Sequence, residues 1–238
     1  MSVLIEQPVG RPPMDPTRRP KPPMTLTPVV SDNVVMLSAP TGAAAEAIRA
    51  LRTHLMAQHV GEGRRALAVC GASHNVGRTF VAVNLAVALS QIGLKTLLID
   101  ADLRYPAVDK MLPSPRQKVG LKQALADRDF EFSDAFVEDV VPNLSVLYSG
   151  GAAENPQELL AGERFKSLMD NCLVDFDFTI VDTPAANSSS DARRISTVVG
   201  YSLIVARQKV SFVNDVRTLT KQLEADHATV VGTVLNEA

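Results

Sequence analysis

The sequence has no tryptophan, two cysteines, three tyrosines and four histidines in 238 residues. Two thiols are too few for a disulfide framework. Cys70 and Cys172 each lie in or beside an apolar segment, and both read as small buried hydrophobes in a reducing compartment. Charge of one sign is also scarce: 24 Lys and Arg stand against 26 Asp and Glu, a net charge of −2. That balance gives no electrostatic case for nucleic acid or for an anionic membrane surface. No apolar run approaches the roughly 20 residues that span a bilayer. The opening MSVLIEQPVGRPPMDP lacks a basic region followed by a long apolar core, so it is a poor signal peptide. A cytoplasmic protein is expected, one that can be recruited to the inner face of the membrane by a partner.

Proline is abundant in one place. Eight of the fifteen prolines fall within residues 8–28, with Arg11, Arg18, Arg19 and Lys21 among them. Such a stretch cannot bury a core, and residues 1–36 are expected to form an extended, disordered tail. A single folded domain is expected over 37–238.

Within that domain, apolar runs alternate with helical patterns. A helix over 41–59 has Thr41 available as a cap and Ile48, Leu51 and Leu55 on one face. Strands are predicted at ALAVC (66–70), TLLID (96–100), LSVLY (144–148), FTIVD (178–182), SLIVAR (202–207) and TVVGTVL (229–235). Helices are predicted at 79–92, 121–127, 156–170, 190–198 and 212–225. Apolar strands joined by helical crossovers define an α/β fold with a mostly parallel sheet, covered by helices on both faces.

The chemistry concentrates at strand ends. GASHNVGRTF (71–80) lies between a strand and a helix, the setting of a phosphate-binding loop. Ligands of open parallel sheets bind beyond the carboxyl ends of the strands. Asp100 ends TLLID, Asp102 follows it, and Asp182 ends FTIVD. Magnesium, which accompanies a nucleoside triphosphate, prefers hard oxygen ligands: a carboxylate from Asp100 or Asp182 and the Thr79 hydroxyl suit it. The expectation is a P-loop NTPase that binds ATP or ADP with Mg2+ through Ser73, His74, Asn75, Val76, Gly77, Arg78, Thr79 and Phe80.

Taken together, these residues resemble the bacterial tyrosine-kinase family of capsular and exopolysaccharide biosynthesis, over roughly residues 42–236. LLIDADLRYP (97–106) is similar to the family's second acidic motif and FTIVDTPA (178–185) to its Walker B strand. NPQELL (155–160), SDA (190–192) and the terminal VLN are shorter matches. The resemblance implies a kinase that pairs with a membrane chain-length regulator, with Asp100 and Asp102 in catalytic positions and Asn236 near the adenine. EAIRALRTHL (46–55) resembles the family's E-x-x-R-x-x-R segment, which implies homo-oligomers formed through Glu46, Arg49 and Arg52.

The loop departs from the family pattern. His74 replaces a proline, Asn75 a glycine, Val76 a glutamate and Arg78 the lysine. Asparagine tolerates the left-handed conformation, so Asn75 can preserve the loop's shape. Arg78 keeps the charge but exchanges a compact ammonium for a planar fork, which is expected to impair turnover more than affinity. The family's C-terminal tyrosine cluster is also missing: none of Tyr105, Tyr148 and Tyr201 lies beyond position 201. Three functions follow in order: an ATP-dependent kinase or ATPase, a pseudokinase acting by assembly, and a partition- or septum-type ATPase.

Overall fold

The computed structural model describes residues 30–58, 64–114 and 119–237. The proline-rich stretch of residues 8–28 therefore lies outside the described residues, as do Gly61 and Gly63. The packed chain reaches further back than the boundary expected near residue 37. Val34 and Met36 are fully buried in the core, around the short helix α1 (Val35–Ser38).

One seven-stranded sheet organises the described chain. Its strands are β1 (Ala66–Cys70), β2 (Thr96–Asp100), β3 (Val137–Val141), β4 (Leu144–Leu147), β5 (Phe178–Asp182), β6 (Tyr201–Arg207) and β7 (Thr229–Asn236). Their order across the sheet is β3-β4-β2-β5-β1-β6-β7. All pairings are parallel except β3 with β4.

Alternate residues of each strand serve opposite faces. Leu67 and Val69 of β1 join one apolar cluster; Ala66, Ala68 and Cys70 join the other. The first face is covered by α2 (Ala43–Gln58) and α3 (Arg78–Ser90). Every residue from Val81 to Ser90 of α3 is buried, which explains why this stretch is apolar but for Asn84 and Ser90, both of whose side chains are hydrogen-bonded. The second face is covered by α5 (Leu121–Ala126), α6 (Pro156–Ala161), α7 (Glu163–Asp175), α8 (Asp191–Val199) and α9 (Val213–Ala225). A one-turn helix, α4 (Val108–Met111), follows the second acidic motif. The thiols of Cys70 and Cys172 are both free and buried.

Three local features differ from the sequence reading. The edge strand β3 was not anticipated, because exposed Glu138 and Asp139 interrupt its apolar pattern and Asp139 adopts a left-handed φ of 51° where the register shifts. The helix expected over 156–170 is two helices, since Gly162 between them is extended. Helix α2 starts at Ala43, which puts Gly42 rather than Thr41 at its N-cap position.

Candidate phosphate-binding site

The loop between β1 and α3 turns back over the carboxyl end of the sheet. Gly71 cannot carry a side chain: a Cβ there would lie 2.8 Å from Val76 Cγ2 and 2.9 Å from the Val205 carbonyl. Asn75 holds φ of 57° and Gly77 φ of 95°, both left-handed. Asparagine thus takes the conformation expected of it in this loop. A cleft of about 240 Å3 is lined by His74 through Phe80 together with Asp102, Tyr105 and Ala107. Ser73, Asp100, Asp182 and Asn236 are not part of that lining.

Arg78 is 8% exposed, and its guanidinium is engaged within the protein. Nε donates to the Thr183 carbonyl at 2.9 Å and Nη1 to the Ser73 carbonyl at 2.6 Å. Nη2 lies 4.0 Å from Asp102 Oδ2. The residue therefore clasps the loop to the exit of β5.

Thr79 and Asp182 form the pair expected of a magnesium site. The Thr79 hydroxyl donates to Asp182 Oδ2 at 2.6 Å, and Asp182 Oδ1 is buried without a partner among the described residues. Burial holds the Asp182 carboxyl at about 7; the Thr79 hydrogen bond and the Arg78 charge pull it down, while Asp102 pushes it up. A buried acceptor lacking a donor, beside a hydroxyl, suits a hard cation. Among the described residues no three His, Cys, Asp or Glu could hold a metal by themselves. Phosphate oxygens and water would complete the shell, the usual state of protein-bound Mg2+.

The other two aspartates are more heavily used by the backbone. Asp100 pairs in register with Asp182 across β2 and β5. Its Oδ1 accepts from the Asp102 N–H and its Oδ2 from those of Ala107 and Val108, each at 3.2 Å. Burial, then the Asp182 charge, drive its carboxyl well above the carboxylate range, against the opposing Val108 hydrogen bond. In this arrangement Asp100 shapes the 101–107 turn. Asp102 Oδ1 accepts from the N–H groups of Arg104 and Tyr105, at 3.1 and 2.8 Å, which leaves Oδ2 facing Arg78 and the cleft.

Asn236 turns its amide toward the loop. Nδ2 donates to the Val76 carbonyl at 3.1 Å, and the side chain fills the space a Cβ on Gly77 would need. His74 Nε2 lies 2.6 Å from Ser188 Oγ and its ring meets that of Tyr105 edge-on at 5.5 Å. Arg104 Nε donates to the buried Asp191 Oδ2 at 2.7 Å, which joins the acidic motif to the start of α8. Arg207 and Ser188 escaped the sequence reading. Arg207 ends a strand on the ligand side of the sheet, the same signal that picked out the aspartates, and its Nη1 donates to the Asn75 carbonyl at 3.1 Å.

A glycine-containing loop between strand and helix, with a Thr–Asp pair behind it and acidic residues at two strand ends, defines a P-loop nucleotide-binding fold. Residues 65–228 match the AAA domain family. The chain is 33% identical over 197 residues to the tyrosine-protein kinase wzc of Salmonella typhi; the match covers 83% of this chain and 27% of that one. It thus spans about a quarter of that relative's length. The kinase domain of Escherichia coli tyrosine kinase ETK superposes with a TM-score of 0.81 at 32% identity, covering 86% of this chain and 80% of that one. The chimerical protein CapA2B2 superposes with a TM-score of 0.79 at 28% identity, over 87% and 91% of the two chains. The chain belongs to the bacterial tyrosine-kinase family of P-loop proteins.

Proposed function

We propose that this chain binds a nucleoside triphosphate with Mg2+ at the 73–80 loop and regulates polymerisation or export of surface polysaccharide alongside a membrane chain-length regulator. In this reading it acts by assembly, with phosphoryl transfer impaired. The observation that carries the impairment is the Arg78 clasp. A loop lysine serves the transition state as a point charge reaching the β- and γ-phosphates. Here the cation is a planar fork, and two of its nitrogens are spent on the carbonyls of Ser73 and Thr183. Reaching a γ-phosphate means leaving both. The backbone N–H groups of the loop and the Thr79–Asp182 pair support ground-state binding without that movement.

A second reading, a kinase that turns over, is favoured by the chain's similarity to tyrosine-protein kinases and by the intact Thr79–Asp182 pair. ATP binding and hydrolysis measured side by side separate the two. Saturable Mg-ATP affinity with near-background turnover supports the first. Robust turnover with phosphotyrosine on the chain or on a partner overturns it, and no binding at millimolar nucleotide overturns both.

Self-association through α2 belongs to the same proposal, with a change in the residues invoked. Arg49 bonds Glu46 Oε2 at 2.9 Å and the Pro40 carbonyl at 2.6 Å, on an exposed face. Arg52 instead donates to the Ala88 carbonyl of α3 at 2.9 Å, so it holds two helices of one chain together. Glu46 and Arg49 are left to face another subunit.

A further inference from the structure

Two positions where the loop departs from the family pattern, Asn75 and Val76, are held by residues far along the chain. Arg207 Nη1 donates to the Asn75 carbonyl and Asn236 Nδ2 to the Val76 carbonyl, each at 3.1 Å. Arg207 and Asn236 are themselves neighbours. They pair in register at the carboxyl ends of β6 and β7, and the Gln208 N–H donates to the Asn236 carbonyl at 2.9 Å. Neither side chain lines the cleft, whereas Asn75, Val76 and Gly77 all do.

Peptide planarity gives these two bonds a consequence on the other side of the loop. In a trans peptide the C=O of one residue and the N–H of the next point in opposite directions. Fixing the Asn75 carbonyl outward turns the Val76 N–H inward; fixing the Val76 carbonyl does the same for the Gly77 N–H. Among the described residues no backbone carbonyl accepts from either N–H. Successive inward N–H groups at a helix start form a concavity that takes an anion. Without a glycine at position 75, the left-handed backbone there carries a cost that the Arg207 bond helps to offset.

We propose that Arg207 is a positioning residue of the phosphate loop. Acting through the Asn75 carbonyl, in parallel with Asn236, it keeps the Val76 and Gly77 N–H groups aimed at the phosphate chain of a bound nucleotide. The ligand in this proposal rests on the nucleotide-binding reading above; the anchoring does not. The test is Arg207→Met in the full chain, with Mg-ATP affinity by calorimetry and amide hydrogen exchange of the ligand-free protein. Affinity is expected to fall about tenfold, the size of one lost hydrogen bond to a charged group. In an Asn75→Gly background the same substitution is expected to cost about threefold or less, because glycine adopts the left-handed conformation freely. Exchange at Val76 and Gly77 is expected to quicken while that of β1 stays unchanged. Equal losses in both backgrounds would mean a through-space charge effect and overturn the proposal, as would unchanged affinity. If the unmodified protein binds no nucleotide, the functional reading falls, and exchange at Val76 and Gly77 alone decides the anchoring: unchanged rates overturn it and faster rates sustain it.

Discussion

Arg78 Nε donates to the Thr183 carbonyl at 2.9 Å, so one guanidinium ties the first turn of α3 to the exit of β5. The contact makes the loop cation a structural element. Replacing it by lysine removes the fork while keeping the charge. Arg78→Lys is expected to raise ATP turnover at least about tenfold above the unmodified chain, because an ammonium is free to follow the phosphates. The same change is expected to lower stability by about 1–3 kcal/mol, since the buried Thr183 carbonyl loses a charged donor. Turnover assays and denaturant unfolding check the two effects separately.

Stability should depend on pH through Asp182. Its carboxyl is raised from 3.8 to about 7, chiefly by burial. Between those values the folded state holds a proton that the unfolded state has lost, so stability falls as pH rises from about 4 to about 7 and is level above. Asp100 shifts in the same direction. The ligand-free protein is expected to melt several degrees higher at pH 5 than at pH 8. Asp182→Asn should flatten this profile and, on the proposed function, weaken the Mg2+-dependent part of nucleotide affinity. Thermal melts across pH and titrations with and without Mg2+ test both.

Gly71 gives a prediction about shape. Its missing Cβ would meet the Val205 carbonyl at 2.9 Å and Val76 Cγ2 at 2.8 Å, and backbone cannot swing away. Gly71→Ala is expected to cost about 1–3 kcal/mol by overpacking and to weaken nucleotide binding. Urea unfolding and calorimetry read the two.

For assembly, reversing the charges of Glu46 and Arg49 together should lower the oligomer mass seen in light scattering while lowering the melting temperature only slightly, because Glu46 is exposed and the half-buried Arg49 gives up one bond to the surface carbonyl of Pro40. Reversing Arg52 is a poorer probe, since it also breaks the α2–α3 contact. An unchanged mass in the Glu46/Arg49 variant removes this interface.

Much of the fold was legible because buried parallel strands leave continuous apolar runs, as β1, β2, β4, β5 and β6 do, while the edge strand β7, with no buried residue, still shows in its β-branched TVVGTVL. The seventh, β3, is a half-exposed edge with a left-handed Asp139, and its pattern reads as loop. Of the site, the loop and the three strand-end aspartates were readable from position alone. Their division of labour was not. Asp100 spends both oxygens on backbone N–H groups, a choice fixed by how the 101–107 turn folds back. Arg78 shows no sign in the sequence of its carbonyl partners, because Thr183 lies 105 positions away. Arg207 was hidden for the same reason, 132 positions from Asn75.

The bond from Asn236 to Val76 spans 160 positions of sequence. On a growing chain, the loop's residues leave the ribosome long before those that hold their carbonyls. A nascent chain that stops short of β7 carries every residue of the loop, yet lacks its settled shape. Long-range closure of this kind is slow relative to local helix formation. The loop shape that the proposed nucleotide site requires would therefore be reached late, once the far edge of the sheet has docked.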